Sequence, residues 1–225
     1  RRDFVANASH ELKTPLGALR LLSEALVATP DPEVRESLSE RIQLESTRMT
    51  RLVDDILDLS LVEQHQTVRS VVNIREVVDE ATTQARLAAE SLGVPLSVSS
   101  ESVEVLGDRR RLVSAVANLI HNAITYTNVK GSDPVEPVMV RAFRHSNQAH
   151  IEVTDRGIGI AERHQTRVFE RFYRVDRGRS RESGGTGLGL AIVRHVVQNH
   201  WGEVELESTP GSGSTFRIKL PAREQ

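Results

Sequence analysis

The sequence predicts two units of different class: an α-helical hairpin that pairs with a second copy into a dimeric four-helix bundle, then an α/β sandwich. Three observations carry that expectation. Of the 14 glycines, only Gly17 falls in the first 63 residues. Apolar residues there recur at three-four spacing, the mark of a helix with one buried seam. From Thr67 onward short β-branched runs mix with helical stretches without strict alternation, which indicates a sheet with one helix-covered face. The change of texture places the division at 1–66 and 67–225.

In the first unit, Val5, Ala8, Leu12, Leu19, Leu22 and Leu26 form one seam, with Pro15 inside it, expected to kink the helix rather than end it. Ala28 to Glu33 reads as a turn. Leu38, Ile42, Met49, Leu52, Ile56 and Leu59 form the seam of a second, antiparallel helix. Leu44, Val53 and Leu57 widen that stripe beyond what one partner helix covers. A second copy would cover it; packing of the hairpin on its own chain is the alternative. In the second unit the spacing predicts helices over 74–92, 109–126 and 188–200. Strands are expected over 96–99, 138–144, 151–155, 204–207 and 215–220. Residues 156–186 form a long polar connection, and a connection of that length in a compact domain usually carries function.

Composition narrows the function classes. The 225 residues fit one to two domains, and 38% hydrophobic content suffices for a core. A net charge of −2 lacks the basic excess of nucleic-acid-binding domains, so no nucleic-acid partner is expected. The absence of cysteine excludes disulfides and thiolate metal sites. No apolar run approaches the ~18 residues of a membrane span, and no signal peptide is evident. Arg1 in place of Met, with helical periodicity at once, reads as part of a longer protein.

With Val5, Ala8 and Leu12 on the seam, His10 falls on the opposite, most exposed side of its helix, with Thr14 one turn further along that face and Glu11 adjacent. A zinc-protease reading fails, because His10-Glu11-Leu12-Lys13-Thr14 lacks the second histidine of HExxH. His195 and His200 read as structural or surface residues. The segment Phe4 to Leu16, containing Ser9-His10-Glu11-Leu12-Lys13-Thr14-Pro15-Leu16, resembles the phospho-acceptor box of sensor histidine kinases. A histidine that receives and passes on a phosphoryl group must be exposed and held on a rigid element. An unperturbed imidazole is largely neutral near pH 7 and offers a nitrogen lone pair for attack on phosphorus. Glu11 is the carboxylate able to fix the tautomer and take the proton, the role the family gives its matching glutamate. Thr14 matches the family position that orients water when the partner is dephosphorylated.

Four further phrases point to a nucleotide. Asn118 and Asn122 lie four apart on a helix whose apolar side includes Leu112, Val116, Leu119 and Ala123. Neutral carboxamides suit a hydrated magnesium ion beside polyphosphate. Asp155-Arg156-Gly157-Ile158-Gly159 follows an apolar strand. Asp155 can accept from an adenine amino group, and Gly157 and Gly159 allow tight turning and close approach to a ligand. Phe169, Phe172 and Tyr173 supply aromatic anchors. Gly184-Gly185-Thr186-Gly187-Leu188-Gly189-Leu190 opens a helix, where exposed N–H groups suit phosphate. No P-loop is present, and the glycine loop comes too late for a Rossmann fingerprint. The four phrases in this order resemble the N, G1, F and G2 boxes of the histidine kinase ATP-binding domain, the Bergerat or GHKL fold shared with gyrase- and MutL-type ATPases.

That resemblance implies ATP and Mg2+ as cofactors. It implies Asn122 as the magnesium-binding asparagine with Asn118 nearby, Tyr126 beside adenine and Asp155 as the adenine reader. Arg174 would meet the phosphates, and Gly185, Thr186, Gly187, Leu188 and Gly189 would form the loop closing over them. One departure is Thr125, where many members carry a phosphate-contacting lysine; Arg174 or Arg177 could compensate, and Arg179 and Arg181 extend that basic cluster. The expected function is a homodimeric kinase core that phosphorylates His10 from Mg-ATP and passes the group to an aspartate on a response regulator receiver domain, with a reverse phosphatase activity. Residues 1–7 and 169–176 look most like the phosphate-responsive, PhoR-like branch, including its actinobacterial members. The expected setting is the cytoplasmic portion of a membrane-anchored bacterial protein, touching the membrane only through segments outside this chain. The alternatives are a weak or inactive kinase-like binding module, favoured by Thr125, and a gyrase-like ATPase, which leaves the His10 phrase unexplained.

Overall fold

The computed structural model describes residues 2–63, 69–130, 135–175 and 185–223. Helix α1 spans Arg2–Ala28 and α2 spans Pro32–Glu63. The turn between them is built from local chemistry. Asp31 Oδ1 accepts from the Glu33 N–H at 3.0 Å, Pro32 takes the first helical position, and Arg35 donates to the Leu26 and Thr29 carbonyls. Pro15 lies inside α1, which continues on both sides of it. Lacking an N–H, it cannot bond the Glu11 carbonyl one turn back. The expected division at 66/67 lies outside the described residues.

The second unit runs β1 (Ser70–Asn73), α3 (Ile74–Ser91), β2 (Leu96–Ser100), β3 (Glu104–Gly107), α4 (Arg109–Lys130), β4 (Val138–His145) and β5 (Gln148–Asp155). It continues through α5 (Glu162–Gln165), a 3-10 turn (Arg167–Phe169), α6 (Gly189–Asn199), β6 (Glu203–Thr209) and β7 (Gly213–Pro221). Five strands form one sheet in the order β2-β4-β5-β7-β6, with β2 parallel to β4 and the other neighbours antiparallel. The inner strands β4, β5 and β7 carry the buried positions that one covered face requires, whereas the edge strands β2 and β6 have none. Val138, Val140 and Ala142 of β4, with Phe216, Ile218 and Leu220 of β7, are buried and join Leu112, Val116, Leu119, Ile120 and Ile124 of α4 in one core. The opposite face carries charge: Arg217 pairs with Glu152 at 2.6 Å and with Glu205 and Glu207 at 3.3 Å each.

Two strands go beyond the sequence expectation. β1 and β3 pair antiparallel, with Val72 opposite Val105 and both buried. Their position follows from Asn73, whose Oδ1 accepts from the Arg75 N–H at 3.0 Å and so starts α3 directly after β1.

The hairpin presents two surfaces. Leu52 and Leu59 of α2 are buried within the same apolar cluster as the second unit, and Leu12 of α1 and Ile56 pack against it. Packing on its own chain is therefore realised on this side. Leu44, Val53 and Leu57, the residues that widen the stripe, remain exposed together with Leu16, Leu21 and Val27.

Candidate active site

Helix α4 sets the floor of a cavity of about 310 Å³. Because Leu112, Val116, Leu119, Ile120 and Ala123 face the core, the other side of the helix turns Asn118, His121, Asn122 and Tyr126 toward the cavity. Asn118 Nδ2 donates to the Ser114 carbonyl at 3.0 Å, and its Oδ1 meets the start of α6. A Cβ on Gly189 would lie 2.7 Å from that oxygen, so glycine there lets the two helices approach.

Asp155 ends β5 at the apolar end of the cavity and is only 4% exposed. Its Oδ1 accepts from the Gly157 N–H at 2.8 Å, which holds the carboxylate in place. Ile158, Ile160, Val168 and Phe216 line the cavity beside it. This is the pattern of a small-molecule site: mostly apolar walls with a few placed polar groups.

The two glycines of this turn also make room for protein backbone. A Cβ on Gly157 would lie 2.5 Å from the Tyr126 carbonyl oxygen. On Gly159, whose φ is +66°, it would lie 2.0 Å from the Thr209 carbonyl oxygen. Both are small because protein backbone passes over them. Gly159 also borders the cavity, whereas Gly157 does not.

The glycine loop faces them. Gly185, Thr186, Gly187 and Gly189 line the cavity; Leu188 does not, being fully buried in the core. Thr186 Oγ1 accepts from the Leu188 N–H at 3.2 Å and so caps the approach to α6. Gly187, at φ +73°, accepts through its carbonyl from the Phe172 N–H at 2.8 Å, which ties the loop to the long connection. Tyr173 lines the cavity and hydrogen-bonds His164 Nδ1 at 2.6 Å, with the Arg167 guanidinium 4.3 Å from its ring centroid. Phe169 and Phe172 pack against the core instead. Arg174 lines the cavity; Arg177, Arg179 and Arg181 lie outside the described residues.

His10 is exposed on α1, Glu11 is half-buried beside it, and Thr14 donates its hydroxyl to the His10 carbonyl at 3.3 Å. None of the three is among the cavity-lining residues. Two residues that the sequence did not single out are: Arg51 and Asp55 of α2. Arg51 Nη1 lies 2.9 Å from His121 Nε2. A guanidinium can only donate, so that ring nitrogen is the acceptor. Burial, and secondarily the charge of Arg51, hold the His121 pKa down at about 4, so the ring is neutral near pH 7. Asp55 accepts from the Thr186 hydroxyl at 2.5 Å. No local pattern marks Arg51 or Asp55, because tertiary docking of α2 brings them there. His121 sits between Asn118 and Asn122 on the helix, and that placement was its only signal.

The residues fit a nucleotide. A buried acceptor stands among apolar walls at one end and a glycine loop entering a helix at the other, with two carboxamides between them. Among the described residues no cluster of three or more His, Cys, Asp or Glu could hold a metal ion alone. That suits a cation carried mainly by phosphate and water.

Comparison with known proteins gives two family matches. Residues 1–65 match the His Kinase A (phospho-acceptor) domain, and residues 107–224 match the histidine kinase-, DNA gyrase B-, and HSP90-like ATPase family. The sensor-like histidine kinase SenX3 of Mycolicibacterium smegmatis is 44% identical over 98% of this chain and 57% of its own length. SenX3 of Mycobacterium tuberculosis is 45% identical over 99% of this chain and 54% of its own. The chain thus spans about half the length of these relatives, which support the PhoR-like branch. Among solved structures, the mycobacterial sensor histidine kinase MprB matches with a TM-score of 0.59 at 31% identity, over 70% of this chain and all of that one. Acinetobacter baumannii histidine kinase AdeS covers 96% of this chain and 98% of its own at 24% identity, with a TM-score of 0.72. The second likeness speaks for the fold, including the helical hairpin. No described helix is long and apolar enough to cross a membrane. The chain belongs to the sensor histidine kinases of two-component systems, with a phospho-acceptor hairpin followed by a GHKL-type ATPase domain.

Proposed function

We propose that this chain binds Mg-ATP in the cavity, moves the γ-phosphoryl group to His10, and passes it to an aspartate of a response regulator receiver domain. Thr14 then serves the reverse, dephosphorylating activity. The observation that supports this reading most is the graded cavity, with buried Asp155 among apolar walls at one end and the Gly185–Gly189 loop at the other. Adenine suits the first end and phosphates the second.

A ring nitrogen of His10 attacks the γ-phosphorus while the bond to the ADP oxygen breaks. Glu11 takes the proton from the other ring nitrogen, leaving a neutral N-phosphoryl imidazole. His10 contributes an exposed nucleophile on a stiff helix; Asn122 would hold the cation with Asn118 nearby, and Arg174 would meet the phosphates. Magnesium supplies charge neutralisation at the phosphates when bound. Catalysis is then mostly positioning and electrostatics. The exposed stripe of Leu16, Leu21, Leu44 and Leu57 supports a homodimer through a four-helix bundle. The full protein is proposed to be membrane-anchored, with this portion in the cytoplasm.

One observation favours a weak or inactive binding module: Thr125 offers no cation at the cavity, while Asp55 adds an anion. Incubation with γ-labelled Mg-ATP separates the readings. The kinase reading expects acid-labile, alkali-stable label on the wild type and none on His10→Gln. ATP binding without label would establish the module, and ATP turnover indifferent to His10→Gln would establish a gyrase-like ATPase.

A further inference from the structure

Asp55 is a carboxylate in a place built for anions. It is 9% exposed and accepts from Thr186 Oγ1 at 2.5 Å. Thr186 in turn accepts from the Leu188 N–H at the entry to α6. Asp55 therefore lies, through one hydroxyl, at the positive end of a helix dipole. Glycines on either side leave that end of the cavity lined by backbone. A buried carboxylate persists only where such partners hold it.

The contact is no isolated side-chain accident. Arg51 lies four residues earlier on the same side of α2 and donates to His121 on the cavity floor at 2.9 Å. Leu52 and Leu59, on the neighbouring face, are 5% and 1% exposed within the core cluster. Apolar burial docks α2, and two polar contacts hold it against the cavity.

We propose that Asp55 is an intramolecular competitor of the nucleotide phosphates: while α2 is docked, its carboxylate takes the Thr186 hydroxyl, and Mg-ATP must displace it. This rests on the assignment of the cavity to Mg-ATP. Two anions cannot share one hydroxyl and one helix terminus in a partly buried site, where charge repulsion is stronger than in water. By linkage, phosphate binding and α2 docking then weaken each other by the same factor. ATP would loosen the hairpin from the ATPase domain, and the γ-phosphate would be the trigger rather than the base.

The test is nucleotide affinity of the whole chain with Asp55→Asn, which keeps the shape and an acceptor oxygen for Thr186 but removes the charge. Calorimetric titration with Mg-ATP, Mg-ADP and adenosine is expected to give about tenfold tighter ATP binding, a smaller gain for ADP, and unchanged adenosine affinity. Adenosine binding also reports that the variant is folded. Unchanged ATP affinity overturns the competition and leaves the ATP site standing. Equal tightening of ATP and adenosine overturns it too, since the effect would then lie away from the phosphates. Weaker ATP binding overturns it by making Asp55 a helper of the nucleotide or its cation. Failure of the wild type and the variant to bind either compound overturns the proposal together with the nucleotide assignment.

Discussion

Asp155→Asn removes one charge and adds one donor at the apolar end of the cavity with almost no change of shape. Asp155 is buried, and its Oδ1 accepts from the Gly157 N–H at 2.8 Å. The asparagine oxygen can keep that bond, so the turn and the fold stay. What changes is the other half of the carboxylate, where an amide N–H2 replaces an acceptor. The adenine amino group then meets a donor. Losing a hydrogen bond to a charged group costs about 1.5–3 kcal/mol, or about 10–150-fold in Kd. Guanine carries a carbonyl where adenine carries its amino group, so the variant should also narrow the gap between Mg-ATP and Mg-GTP. Titration calorimetry with both nucleotides measures this, alongside a melting curve matching the wild type. ATP affinity within about twofold of wild type would refute the assignment of Asp155 to the base.

Three further substitutions probe the scaffold. Gly159→Ala would place a Cβ 2.0 Å from the Thr209 carbonyl oxygen at a φ of +66°, whereas Gly211, at φ +79°, has nothing within 4 Å. Left-handed strain of about 1 kcal/mol is common to both, and overpacking adds about 1–3 kcal/mol at Gly159 alone. Urea unfolding should separate the two alanine variants by that amount, and equal losses would contradict the packing argument. Acidification should destabilise the ATPase domain through histidines kept neutral by the fold. His121 is held at about 4 against an ordinary 6.5, chiefly by burial. Its contribution is complete above pH 6.5 and is lost as pH falls toward 4. Between about pH 7.5 and 5.5 this one ring costs about 1.3 kcal/mol. Burial also lowers His200, whose Nε2 accepts from the Asp108 N–H at 2.9 Å and whose Nδ1–H donates to the Val196 carbonyl at 2.7 Å. His121→Gln should remove its share of the pH slope; an unaltered slope would show the ring is not buried neutral.

Much of the architecture is local and therefore readable. The 3.6-residue period fixed α1 through α4, and the β-branched runs marked all five strands of the main sheet. The exposure of His10 follows from Ala8 and Leu12 packing inward. What escaped is what only tertiary contact creates. β1 and β3 are four residues each, too short for a pattern, and exist because Val72 finds Val105 across intervening chain. A glycine in a sequence says that something comes close, without saying what. At Gly157 and Gly159 the close neighbours are the backbone of Tyr126 and Thr209, and Gly159 borders the cavity as well. Leu188 sits in the middle of the glycine phrase yet belongs to the core, because a loop entering a helix must send one side chain inward. Arg51 and Asp55 carry no local signal, because they reach the cavity only when α2 docks, and docking depends on Leu52 and Leu59 finding a surface in another domain.

The central claim is that the imidazole of His10 receives the phosphoryl group bound in this cavity. The most direct test is to incubate the whole chain with Mg-ATP, digest it under neutral conditions, and locate the phosphoryl group by tandem mass spectrometry. The account predicts a phosphoryl group on a His10 ring nitrogen, absent when Asp155→Asn is assayed at an ATP level that saturates only the wild type. A phosphoryl group on another residue, or ATP consumption with His10 unmodified, would contradict it.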